Sequence, residues 1–149
     1  MELALPYVIT VKLPSDLEII PSIRKFVSEV LQVSGFSAKF AFRAEIIVDA
    51  ICNNAICYGS GGDTDSEVEV DCEIHSDRME VVVKDRGGSA SHIKRLQDAV
   101  RGDRSELPLT SESFGMGLEI VKLLSESIEF NVDENNLTSV HVVRKREEA

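Results

Sequence analysis

What this chain lacks narrows it before any motif is read. No apolar run approaches the about 20 residues that a helix needs to cross a bilayer, so no transmembrane helix is expected. The opening MELALPYVITVKLP has an acid at its second position and no basic stretch ahead of the apolar one, unlike a secretory leader. Positive charge is scarce. Sixteen Lys and Arg face 26 Asp and Glu, a formal net charge of −10, which argues against a surface that attracts nucleic acid generally. The one basic cluster, Arg144-Lys145-Arg146, runs straight into Glu147-Glu148 and reads as a solvated chain end. Cysteine is limited to Cys52, Cys57 and Cys72, an odd number without zinc-ligand spacing, as expected of buried reduced thiols in a cytoplasmic protein. His75, His92 and His141 are isolated in sequence, and His75 and His141 fall on outward positions of strand patterns, where a catalytic or metal role is the exception. There is no internal repeat and no low-complexity segment.

What is present suits one domain over residues 1–149, with 43% hydrophobic residues to fill a core. The chain is organised around the stretch FRAEIIVDAICNNAICYG, from Phe42 to Gly59. Ala44, Ile47, Val48, Ile51 and Ala55 recur at steps of three and four, the mark of a buried helix face. Asn53 and Asn54 interrupt that pattern. Asparagine is a weak helix former because its side chain competes for backbone hydrogen bonds. Either these amides point to solvent, or one of them is needed as an oxygen ligand or hydrogen-bond partner.

Upstream, Tyr7 to Leu13 reads as a strand stopped by Pro14. Ser15-Asp16-Leu17-Glu18 has the form of a capping box. Ile19, Ile23, Phe26, Val27, Val30 and Leu31 then form a helical stripe, either kinked at Pro21 or beginning there, and ended by Gly35. Ser37 can cap the central helix. Past the loop SGGDTD, Val68, Val70, Cys72 and Ile74 alternate with Glu67, Glu69, Asp71, Glu73 and His75, giving a strand with one core face and one acidic face. That acidic face is either solvated or a docking surface for a basic partner. Ser76-Asp77 turns the chain into a second alternating strand through Met79, Val81 and Val83. A short helix over 93–100 and a lid over about 88–114 follow, then a helix from Gly115 to about Ser125. Two last strands, through Ile128 to Val132 and Thr138 to Val142, flank the turn Asp133-Glu134-Asn135-Asn136. The expected fold class is α+β, a two-layer α/β sandwich with a mostly antiparallel sheet and helices on one face.

Three features sit at junctions of this layout: the Asn pair, Asp85-x-Gly87 at a strand end, and Gly115-x-Gly117 at a helix start. Each alone is an ordinary turn or loop signal. Together they suit a nucleotide. A carboxylate at a strand end can accept from an exocyclic amine such as adenine's. Glycines allow the backbone close to a base or phosphate. A Gly-rich helix start offers free N–H groups to an anion. An Asn carbonyl suits Mg²⁺, which takes few protein ligands.

The ordered boxes resemble the ATP-binding fold shared by gyrase, Hsp90, histidine kinases and MutL, and within it the anti-sigma-factor serine kinases of the RsbW and sporulation type. Asn54-Ala55-Ile56-Cys57-Tyr58-Gly59 is similar to that family's N-A-x-x-H/Y-G, Asp85-Arg86-Gly87 to its adenine box, and Gly115-Met116-Gly117-Leu118 to its G-x-G-L helix start. The resemblance implies ATP and Mg²⁺ as ligands. Asn54 would hold metal and phosphate and Asp85 the adenine amine. Gly87, Gly115, Gly117 and Leu118 would lie against base and phosphates, and Thr138 would assist at adenine. It also implies a small anti-anti-sigma partner of the STAS type, a sigma factor, or both, a homodimer, and no direct contact with nucleic acid or membrane.

The sequence departs from that family in its catalytic carboxylate. Active members carry a glutamate four residues before the Mg²⁺ asparagine, one helical turn away on the same face. Here that position is Ala50. Asp49 is five back, about 140° around the helix at about 100° per residue. Pairing Asp49 with Asn53 restores an i, i+4 carboxylate–amide pair but shifts the N-box by one residue. Asp49 is therefore the candidate catalytic residue. Two activities stay open: serine/threonine phosphotransfer to the partner, or binding and sequestration alone. Arg101 and Arg104 in the lid are candidate charge stabilisers at the γ-phosphate or simply solvated. Ser89 and Leu137 stand where the family commonly has glycine.

Overall fold

Period-two alternation decides the sheet. The computed structural model describes residues 5–14, 16–56, 67–86, 114–132 and 137–146, without the side chains at 86, 114–118, 132 and 137. Five strands appear in it: β1 (Tyr7–Pro14), β2 (Glu67–Ile74), β3 (Arg78–Arg86), β4 (Ser127–Val132) and β5 (Leu137–Lys145). They form one sheet in the order β1-β2-β3-β5-β4, with every neighbouring pair antiparallel. The register aligns inward residues into rows. Val11, Val70, Val83, Val140 and Phe130 form one row, and Ile9, Cys72, Val81, Val142 and Ile128 the next. A one-residue slip would turn every one of these toward water, which is why the pattern fixes the pairing.

The helices cover those rows. A 3₁₀ turn (Leu17–Ile19) leads into α1 (Ile20–Val33). The Asp16 carboxylate accepts from the Glu18 N–H at 3.0 Å, so the acid of the expected capping box does the capping. Pro21 lies in the first turn of α1, where its missing N–H costs nothing, so the helix begins there rather than kinking. Gly35, with φ +96°, ends the connection that only a glycine adopts cheaply. Ser37 Oγ accepts from Phe40 N–H at 3.0 Å and starts α2 (Ala38–Asn54). Residues 55 and 56 continue it as a π-type turn. Ile47, Val48 and Ile51 of α2 are fully buried over the sheet. A third helix, α3 (Phe114–Leu124), packs beside α2 and contributes the buried Val121. The architecture is the expected α+β sandwich with its helices on one face. Among the described residues no helix is long and apolar enough to cross a membrane.

One expectation is corrected. Arg144 is not part of a solvated chain end. It is an inward residue of β5, 5% exposed. Its Nη1 donates to the Leu124 carbonyl at the end of α3, and its guanidinium lies 5.0 Å from the centre of the Phe40 ring on α2. Arg146 is exposed, yet its guanidinium covers the Phe36 ring at 4.0 Å. A guanidinium is weakly hydrated and stacks on aromatics, which is why the pattern "basic, therefore solvated" fails here. The expected helix over 93–100, the lid, Cys57, Gly59, Gly87, His92, Arg101, Arg104 and the turn at 133–136 lie outside the described residues.

Candidate functional site

The site residues emerge where the core alternation runs on into polar side chains. Counting by two along β3 from Met79 gives Val81, Val83 and then Asp85, all inward. Thr138 stands directly opposite Asp85 on β5. Asp85 is 5% exposed and Thr138 1%. The Thr138 hydroxyl donates to the Asp85 carbonyl oxygen at 3.3 Å. Asp85 Oδ1 is buried without a hydrogen-bond partner among the described residues. Burial pushes the Asp85 carboxyl up to about 6, with the neighbouring Thr138 hydroxyl pulling the other way. A buried, underpaired carboxylate costs stability and persists where a ligand completes it.

A second acceptor waits on α2. Asn54 is the last residue of that helix, 6% exposed, and its Oδ1 is also buried without a partner among the described residues. Asn53 behaves differently. It is half-buried, and its amide donates back to the Asp49 carbonyl at 2.9 Å, an i−4 bond within the helix. Of the two registers weighed from the sequence, the structure therefore leaves the free acceptor at Asn54. Asp49 points elsewhere. Its carboxylate accepts from Arg24 Nη1 of α1 at 3.3 Å, and its side chain is 41% exposed. The same guanidinium lies 3.6 Å from Glu45. No sequence pattern pointed to Arg24, because the pairing depends on how α1 crosses α2.

Gly115 and Gly117 fall in the first turn of α3, where backbone N–H groups have no intrahelical acceptor. Leu118 follows in the same helix. Cys52 and Cys72 are free thiols, both pushed up to about 12 by burial, and at Cys52 the nearby Asp49 charge adds to the rise. Neither is a reactive nucleophile.

These positions, a helix-end amide, an inward Asp opposite a Thr, and a glycine-opened helix, sit on one antiparallel α/β sandwich. The model of the histidine kinase-like ATPase domain matches residues 13–143, and the chain belongs to that family, which makes it an ATP-binding domain. Among its curated relatives is the serine-protein kinase RsbW of Listeria monocytogenes, 28% identical over 126 residues that span 85% of this chain and 80% of that protein. The serine-protein kinase RsbW of Bacillus licheniformis is 27% identical over 140 residues, 93% of this chain and 87% of that protein. Among solved structures, a chain in the crystal structure of the SiaB–SiaC complex from Pseudomonas aeruginosa superposes with a TM-score of 0.72. That likeness covers 91% of this chain and 88% of that one at 12% identity, and it shows the shared fold.

The residues present fit the ligands the family implies. Asn54 Oδ1 is a hard oxygen donor of the kind Mg²⁺ accepts, and it is buried and unused. Asp85 Oδ1 is an acceptor without a donor, as an exocyclic amine requires.

Proposed function

We propose that this chain binds ATP with Mg²⁺ and uses the bound nucleotide to regulate a protein partner in the cytoplasm, in the manner of an anti-sigma serine kinase. The reading is carried by the two buried, unpartnered oxygens, Asn54 Oδ1 and Asp85 Oδ1. In it, Asp85 and Thr138 hold the adenine edge. Asn54 holds the cation, which supplies charge neutralisation at the phosphates. Gly87, Gly115, Gly117 and Leu118 lie along base and phosphates. The partner is a small anti-anti-sigma protein of the STAS type, a sigma factor, or both, and the active unit is a homodimer of this single domain.

For phosphotransfer, Asp49 would take the proton of the attacking serine hydroxyl as it bonds to the γ-phosphorus and ADP leaves. Two observations favour the second reading, binding without efficient transfer. Ala50 stands one helical turn before Asn54, and the Asp49 carboxylate is engaged by Arg24. Loss of a general base costs about 10²–10⁴-fold, while positioning and charge stabilisation survive it.

Calorimetric titration with ATP and ADP in Mg²⁺ tests the site. The wild type is expected to bind both. Asp85→Asn should weaken binding about 10- to 100-fold, the value of a hydrogen bond to a charged group. No binding to the wild type at high micromolar nucleotide would sink the reading.

A further inference from the structure

The sheet face opposite the helices carries a cluster that the nucleotide site does not use. Glu73 and His75 lie two apart on the outward side of β2 and the turn after it. Glu80 on β3 is directly opposite Glu73 in the register. Like charges directly opposite each other on neighbouring strands repel. His75 Nε2 sits between them, 2.7 Å from Glu73 Oε1 and 3.7 Å from Glu80 Oε2. Ligand atoms of these three residues all lie within 4.8 Å of one another. Tetrahedral zinc, bound to N and O at about 2.0–2.2 Å, places its ligand atoms about 3.4 Å apart, and the two imidazole–carboxylate distances bracket that value. His141, on β5, makes a 2.8 Å contact with the other oxygen of Glu80, Oε1. A hydrogen bond to the far oxygen is how a ligating carboxylate is held in orientation from behind.

We propose that Glu73, His75 and Glu80 form a zinc-binding site on the open face of the sheet, with His141 positioning Glu80 and a fourth coordination place open to water or a partner's side chain. An imidazole with two carboxylates prefers a borderline cation such as Zn²⁺ over the all-oxygen shells of Mg²⁺ and Ca²⁺. One cation competes for the same oxygens. Arg78 Nε donates to Glu80 Oε2 at 2.7 Å. Arg78 also holds Asp77 through Nη1 at 2.9 Å, so it has a partner to keep when zinc takes the Glu80 oxygen.

The test is titration of the metal-free full chain with Zn²⁺ by calorimetry, with Mg²⁺ present throughout to occupy any nucleotide-site affinity. One Zn²⁺ per chain is expected. His75→Ala and Glu80→Gln should each lose more than the about 10–100-fold that outer-shell losses cost, and His141→Asn should lose about tenfold. Arg78→Met should bind zinc more tightly, because it removes the competitor. Circular dichroism of each variant separates lost binding from lost fold, and Glu73→Gln provides a second ligand deletion if His75→Ala unfolds. Absence of zinc binding in the wild type overturns the proposal. So does zinc binding that His75→Ala, Glu80→Gln and Glu73→Gln all leave unchanged, which would place the metal elsewhere, on a thiol such as Cys57.

Discussion

Asp85 is the residue at which binding and stability pull apart. Its native carboxyl keeps a proton up to about pH 6 where an ordinary one releases it near 3.8. Between those values folding takes up a proton, so the native state gains least from this group once it is ionised. The penalty is absent below about pH 4, grows as pH rises through 4 to 6, and is complete above. Asp85→Asn removes it. The variant should be more stable than wild type at pH 7, by up to about 3 kcal/mol, and the two denaturation curves should converge near pH 4. Urea unfolding at pH 4, 5.5 and 7 reads this directly. A variant that is less stable at pH 7 would contradict the burial argument. Ala50 sets the second residue-level expectation. A carboxylate placed there stands one turn from Asn54, and Ala50→Glu should raise phosphotransfer to an anti-anti-sigma partner by up to about 10²-fold. Radiolabel transfer to that partner, wild type against variant, measures it.

At the scale of the element, α2 depends on its start as much as on its core face. Ser37 Oγ holds the Phe40 N–H, and no acid in the first turn shares the role. Ser37→Ala should cost about 1 kcal/mol, a few degrees in melting temperature, without altering nucleotide affinity. A loss of affinity beyond the stability effect would mean that the far end of α2, where Asn54 sits, moves with its cap. The β2–β3 hairpin shows a different economy. Lys84 Nζ lies 3.2 Å from Glu69 and 3.1 Å from Asp71, so a single lysine neutralises two acids of a face that reads as purely acidic along β2 alone. Its pairs are partly exposed and contribute little each.

For the molecule as a whole, Arg144 joins the two layers. It is reached only by the last strand, yet it touches α2 through Phe40 and the carbonyl end of α3 through Leu124. A cation at a helix C-terminus also meets the negative end of the helix dipole. Arg144→Met keeps the stem and removes the charge and the donors. It should cost about 1–3 kcal/mol, and hydrogen exchange should show α3 opening before the sheet does. Equal loss of protection everywhere would show that the contact supports the core generally rather than this helix.

The sequence alone determined the strands, because Val68 to Ile74 alternate strictly with acids and Met79, Val81 and Val83 recur at period two, which leaves one choice of face. It determined the α1 and α2 stripes for the same reason at period 3.6, and the cap at Ser37 from chemistry confined to four residues. It also placed Asp85, Thr138 and Asn54 at element ends. What it could not decide was anything resting on two segments meeting. That Asp85 and Thr138 face each other follows from β3–β5 register, and that Asn54 rather than Asn53 keeps a free buried oxygen follows from what α2 packs against. Arg24 on Asp49, Arg144 under two helices, and the gathering of Glu73, His75, Glu80 and His141 from three strands and the turn after β2 have no local signal. A side chain's charge is written in the sequence. Its partner is set by the fold, because the fold decides which groups water can still reach.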